Sequence, residues 1–290
     1  MDDRSLFSIE GKTAIVTGAS SGLGVVMAEG LANAGANVII AARRKANLDE
    51  LASRLEANGA KVLALYCDVC DSQQVDEMVD AAWNTFGRVD ILVNNAGVSA
   101  DAGVMPENVP DELFLQSVTT NLVGTFSCCR ALARRQLADG RGGSIINIAS
   151  IMGMAGTQNA PVGYQSSKAG VINLTRALAL SWADRGVRVN AIAPGWFPSE
   201  MTAGWFAVPE FLQRFATQIP TCHVGEPADL VGPLLFLASD ASNFVTGQTI
   251  AVDGGLSSSN GAAAYDDDLF AMQAAAVGPL GQRILPTSSG

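Results

Sequence analysis

The chain has 290 residues, 48% of them hydrophobic and 16% charged, and a formal net charge of −10 at pH 7. That is apolar material for one large core or two ordinary ones, and the acidic surplus argues against nucleic acid or an anionic membrane as partner. No apolar run reaches the ~20 residues of a membrane span, and the start Met-Asp-Asp-Arg lacks a signal peptide's order of charge then apolarity. The sequence therefore reads as cytoplasmic. From residue 12 to about residue 252, apolar runs alternate with helical patterns. Strands are expected over 12–17, 37–42, 61–66, 91–93, 144–149, 187–192 and 249–252. Helices are expected over 25–34, 48–58 and 73–86, each followed by a glycine, and over 111–138, interrupted only at Gly124. A further helix is expected over 162–184. Strand alternating with helix at this pace predicts an α/β fold, a single doubly wound Rossmann-type parallel sheet with helices on both faces. No repeat or linker divides residues 1–256, which read as one catalytic domain; residues 257–290 read as an extension.

Two stretches carry the chemistry. The first strand turns into Thr17-Gly-Ala-Ser-Ser-Gly-Leu-Gly24 and then into a helix. Glycines at that junction let backbone approach a pyrophosphate seated on a helix N-terminus. Further on, Tyr164 and Lys168 stand four apart at the start of a helix, on one face. A fixed cation beside a phenol favours phenolate and brings it toward the working range of an acid–base catalyst. Ser150 ends the apolar run 145–149, so its hydroxyl should project from a strand's carboxyl end toward the same reacting oxygen. Cysteines are five, an odd count; Cys67 and Cys70 have no second pair to complete a metal site, and all are read as reduced structural thiols.

In this order the sequence resembles the short-chain dehydrogenase/reductase family. The likeness runs through Thr17–Gly24, Asn94-Asn95-Ala96-Gly97, Asn121, Ser150, Tyr164-Gln-Ser-Ser-Lys168, Pro194-Gly195 and Asp253-Gly254-Gly255. It implies Tyr164 as general acid–base, Lys168 as the group that lowers its pKa and holds the nicotinamide ribose, and Ser150 as the group that positions the reacting oxygen. Asn121 would hold a water linking Lys168 to solvent. For the cofactor it implies Gly18, Ser20, Ser21, Gly22, Leu23 and Gly24 at the phosphates, and Asp68 and Val69 at the adenine. Asn95, Ala96 and Gly97 would border the adenosine side, with Asn94 structural. Pro194, Gly195 and Phe197 would meet the carboxamide, with Ser199 where the family often has Thr. The gap from Ser150 to Tyr164 is one residue longer than in many members, and Cys222-His223 replaces a common Gly-Arg. A lone loop histidine is read as a surface or packing residue. The family also implies a homo-oligomer, a dimer or a homotetramer, paired through the helices over 111–138 and 162–184.

Ala42 stands where relatives that prefer NAD place Asp, and Arg43 follows it. Arg offers a charged fork suited to a 2′-phosphate, so the cofactor is expected to be NADP, with NAD possible, and Arg43 its discriminator. The activity expected is interconversion of a ketone and a secondary alcohol. An aromatic-rich lid over 194–215 suggests an apolar or bulky carbonyl substrate. A 3-oxoacyl thioester is the alternative, with Arg130, Arg134, Arg135 and Arg176 as a landing strip for an acidic carrier, although ion pairing is the stronger reading of those arginines. A cofactor-binding protein without activity is the non-enzyme alternative, which the intact Asn121, Ser150, Tyr164 and Lys168 set disfavours. In the extension, a short helix is expected around Phe270, Ala274 and Val277, docked across an oligomer interface.

Overall fold

Along each central strand, neighbouring residues point to opposite faces, and both faces are covered. Val16, Val38, Ile40 and Val93 pack into one layer, while Ile15, Ile39, Leu92 and Ile145 pack into the other. The structure is a computed structural model and describes residues 3–158 and 160–258. The helix expected around Phe270 lies outside the described residues. After a short helix α1 (Asp3–Leu6), the strands are β1 (Thr13–Thr17), β2 (Asn37–Ala42), β3 (Val62–Tyr66), β4 (Ile91–Asn94), β5 (Gly143–Ile148), β6 (Val187–Pro194) and β7 (Thr249–Val252). They form one parallel sheet in the order β3-β2-β1-β4-β5-β6-β7. The chain winds outward from β1 to β3, returns, and winds the other way from β4. That reversal opens a crevice at the carboxyl ends of β1 and β4, where ligands of such sheets bind.

The helices supply the two outer layers. Leucines and Met27 of α2 (Gly22–Asn33), α3 (Lys45–Ala57) and α10 (Val231–Ala238) close one face of the sheet. On the other face lie α4 (Ser72–Phe86), α6 (Gly124–Ala138) and α7 (Val162–Trp182). Local signals set several ends. Asp71 caps α4 by accepting the Gln73 and Gln74 N–H groups, and Gly87, at φ 75°, ends it in the left-handed region.

Three differences from the sequence reading matter for the site. The segment over 111–138 is not broken at Gly124: α5 (Asp111–Val118) runs through a π-turn (Thr119–Val123) into α6. Asn121 lies in that turn, a local irregularity of the kind often found at functional sites. Second, β6 continues to Pro194, so the sheet itself carries Pro194 into the crevice. Third, α10 is absent from the sequence reading, although Gly232-Pro233 does not interrupt it. Pro233 falls in its first turn, where no backbone N–H is needed.

Candidate active site

The crevice is a cavity of about 570 Å³ that runs from Arg43 and Arg44 to Tyr164. The Gly-rich turn forms its floor. Gly18 has φ +66°, and a Cβ there would lie 2.7 Å from the Ala96 Cα. Asn95 ties the turn to β4's end, donating to the carbonyls of Thr17 (3.0 Å) and Gly18 (3.1 Å). A Cβ on Gly24 would lie 2.4 Å from the Gly18 oxygen, so Gly24 shapes the turn from behind and does not line the cavity. Gly18, Ser20, Ser21, Gly22 and Leu23 do line it, as do Arg43, Asp68, Val69, Asn95, Ala96 and Gly97. Asn94 is buried in the sheet, donating to Asn147 Oδ1 at 2.9 Å and to the Cys129 sulfur.

At the other end stand Ser150, Tyr164, Lys168, Pro194, Gly195, Phe197 and Ser199. Ser150 projects from the end of β5, with its side chain accepting the Met152 N–H. Its hydroxyl also stands near enough to the Tyr164 phenol to favour phenolate. Lys168 is buried at the centre of this group: Nζ donates to the Ile148 carbonyl at 2.6 Å and lies 5.7 Å from the Tyr164 ring centroid. Burial pulls its pKa down to about 8. For the phenol, burial is the larger influence. Burial raises the Tyr164 pKa, and the Ser150 hydroxyl offsets part of that rise.

Asn121 stays behind the cavity wall, fully buried. Its Oδ1 accepts the Val98 N–H at 2.8 Å, and its Nδ2 donates to the Val98 carbonyl (2.8 Å) and to Ser167 Oγ (2.9 Å). It thereby pins the loop after β4 to the helix that carries Tyr164. A Cβ on Gly97 would fall 3.2 Å from Asn121 Oδ1 and 3.5 Å from Lys168 Nζ, so both groups face one small space.

The adenosine end holds what the sequence reading passed over. Arg43 reaches only the edge of Asp68, at 3.9 Å. Arg44 turns toward the Gly-rich turn: its guanidinium donates to Ser20, Ser21 and both Glu200 oxygens, the latter at 2.8 Å each. Those bonds hold the Glu200 carboxyl down at about 2. Glu200 belongs to the segment after β6, which thus crosses over the Gly-rich turn. Thr202 stiffens that segment by donating to the Phe197 carbonyl at 2.7 Å and accepting the Ser199 N–H at 2.9 Å. The run Arg43-Arg44 was visible in the sequence; that Arg44 and not Arg43 faces Ser20 depends on how β2 leaves the sheet.

The lid itself, with α8 (Ala203–Phe206) and α9 (Pro209–Ala216), packs its aromatics on one another. Trp196 meets Trp205 edge-on at 5.4 Å and Phe215 at 4.2 Å; among the described large apolar lid side chains, Phe197 and Met201 reach the cavity. His223 is exposed, with Nδ1 against the Val224 carbonyl, and takes no part in the site. Ion pairing accounts for two of the helix arginines: Arg134 and Arg135 pair with Asp76 and Asp80 of α4, while Arg130 lies over Phe126 and Arg176 is exposed.

The fit to a dinucleotide is direct. Backbone approaches closely at the turn, cations stand at the adenosine end, and a buried lysine beside Tyr164 and Ser150 stands at the other. Among the described residues no helix is long and apolar enough to cross a membrane, and none group as metal ligands.

Known proteins agree with this geometry. A family model described as enoyl-(acyl carrier protein) reductase matches residues 18–257. The chain is 40% identical over 256 residues to 2-dehydro-3-deoxy-D-gluconate 5-dehydrogenase of Escherichia coli, covering 87% of this chain and 97% of that one. It is 38% identical to the 3-oxoacyl-[acyl-carrier-protein] reductase FabG of Thermotoga maritima, over 86% of this chain and 98% of the relative. Among solved structures, a gluconate 5-dehydrogenase from Burkholderia cenocepacia in complex with NADP and tartrate superposes with a TM-score of 0.83 at 34% identity, covering 88% and 98% of the two chains.

Proposed function

Because the chain belongs to the short-chain dehydrogenase/reductase family, we propose that it is an NADP(H)-preferring oxidoreductase that interconverts a ketone and a secondary alcohol. The observation that carries this is the Ser150–Tyr164–Lys168 group at one end of a cavity whose other end holds Arg43 and Arg44. NADP(H), when bound, supplies or accepts the hydride. The protein's part is to orient and to move one proton. Tyr164 gives its phenolic proton to the carbonyl oxygen on reduction and takes it back on oxidation. Ser150 holds that oxygen beside the phenol. Lys168 adds the positive charge that a buried phenol needs, and binds the nicotinamide ribose. To Asn121 we assign the water that joins Lys168 to solvent; the shared space beside Gly97 supports it.

The other cavity residues take the roles expected of them: Gly18 to Leu23 at the phosphates, with Gly24 supporting the turn, and Asp68, Val69, Asn95, Ala96 and Gly97 around the adenosine. Pro194, Gly195, Phe197 and Ser199 meet the carboxamide. Arg44 joins Arg43 as a partner for the 2′-phosphate. Acidic charge and five free cysteines support a cytoplasmic setting.

For the substrate, the cavity's cations are the guide. Among the described residues, those lining it are Arg43 and Arg44, at the adenosine end, and Lys168. Around Tyr164 and the buried Lys168, the lining residues Val98, Ser99, Met201 and Thr202 add no cation for a carboxylate to meet, which favours a neutral carbonyl compound. The names of the sugar-acid relatives favour a second reading, a polyhydroxy acid. A panel of neutral ketones, keto acids and 3-oxoacyl thioesters, followed by loss of NADPH absorbance, tests both. The proposal expects the highest kcat/KM with a neutral ketone. A keto acid turned over faster would select the second reading, and silence across the panel would reject the activity.

A further inference from the structure

Asp101 is fully buried in the loop between β4 and α5, and the chemistry above gives it no task. Helix α7 begins behind Pro161, which makes no side-chain cap, so the helix that carries Tyr164 and Lys168 has no N-cap of its own. Asp101 supplies one from elsewhere in the chain. Its Oδ2 accepts the Gly163 N–H at 2.6 Å, and its Oδ1 accepts the hydroxyl of Ser117, on α5, at 3.0 Å. Ser117 Oγ in turn accepts the Ala100 N–H at 3.1 Å, closing the loop on itself. The seat is tight: a Cβ on Gly163 would lie 3.2 Å from each carboxylate oxygen. Gly163 directly precedes Tyr164.

We infer that Asp101 is a positioning residue for the proposed reaction, fixing where α7 starts and therefore where Tyr164 stands against Ser150. This rests on the acid–base role assigned to Tyr164. The carboxylate also acts through its charge. Tyr164 sits in the first turn of α7, where the positive end of the helix favours phenolate; a negative charge there opposes that and keeps the proton on the phenol. Lys168 is the ionisable group beside the Tyr164 ring. Asp111 and Glu112 on α5, Arg176 on α7, and Asp184 and Arg185 beyond its end are all exposed.

Two variants of the full chain separate shape from charge. Asp101→Asn keeps an acceptor for the Gly163 N–H and removes the charge; Asp101→Ala removes both. The readouts are alcohol oxidation by NADP across pH, and NADPH affinity by nucleotide fluorescence. Asp101→Ala should lose kcat on the order of 10²-fold, as expected for a misplaced reacting group, while NADPH affinity holds. In Asp101→Asn the rising limb of the oxidation profile should move to lower pH, a shift that mere loosening of the fold does not produce. If Asp101→Ala does not fold, the Asn limb decides alone. An unmoved limb, or losses of kcat, NADPH affinity and melting temperature in step, would overturn the inference. Tyr164→Phe in the same series tells the two failures apart: if it is inactive while the limb is unmoved, only Asp101's role is lost. If it is active, the Tyr164 assignment falls and this inference with it.

Discussion

Lys168 shows how the site trades stability for chemistry. An ammonium buried to 4% exposure, with its pKa lowered to about 8, is an unfavourable group to fold around. The depression from 10.5 corresponds to a penalty on the order of 3 kcal/mol. Its charge-assisted hydrogen bond to the Ile148 carbonyl returns about 1.5–3 kcal/mol, at most the size of that penalty. Lys168→Met should therefore raise the melting temperature at pH 7 while abolishing turnover. The sign follows from the two protonation states. Below pH about 8 the lysine is charged in both the folded and unfolded chain, so the penalty is complete. Between there and about 10.5 the folded chain has released its proton and the unfolded chain has not, so the penalty fades as pH rises. Melting curves of both proteins at pH 7 and pH 10 check this. A variant that melts lower at pH 7, or a gain that grows with pH, would show that Lys168 is not held charged at a cost.

At the scale of elements, the segment after β6 and the turn after β1 are joined through Glu200 and Arg44. The pair is exposed, so its own contribution to stability is small. Its effect should appear in cofactor choice, since Glu200 and a 2′-phosphate seek the same guanidinium. Glu200→Gln is expected to tighten NADPH binding and leave NADH nearly unchanged. Arg44→Ala should weaken NADPH on the order of tenfold or more, as loss of a charge-assisted hydrogen bond of about 1.5–3 kcal/mol implies. Titrations of both nucleotides against the two variants and Arg43→Ala measure each arginine's share. Equal losses for NADH and NADPH in Arg44→Ala would remove it from the 2′-phosphate site.

Across the whole molecule, Leu115 on α5, Val123, Phe126 on α6 and Leu180 on α7 present apolar surface to solvent, Leu180 at 86% exposure. These are the helices through which a homo-oligomer was expected to pair, and light scattering at micromolar concentration should give a multiple of the 30.0 kDa chain. A stable monomer would reject that expectation. Most of the sheet was legible in the sequence because each strand is an apolar run bounded by glycine or a polar turn. β2 and β7 fall on the expected residues. Tyr164, Lys168 and Ser150 were legible because their spacing on a helix and at a strand end is itself the chemistry. What escaped depends on contacts between distant segments. The π-turn at Asn121 answers to Val98 and Ser167, Arg44's direction to Glu200, and the inward packing of Trp196 to Trp205 and Phe215. No local pattern encodes those partners. The spacing of Tyr-x-x-x-Lys reports the cation and says nothing of burial, which raises the phenol's pKa here.

The most direct test of the central claim is the single-turnover rate of hydride transfer in Tyr164→Phe, saturated with NADPH and an accepted ketone, against the same rate in the wild-type protein. Removing one hydroxyl leaves the ring, the helix and the cofactor cavity in place. The rate should fall by ~10²–10⁴, the usual worth of general acid–base catalysis, with NADPH affinity nearly unchanged. A variant that keeps more than about a hundredth of the wild-type rate would contradict the assignment of the proton to Tyr164.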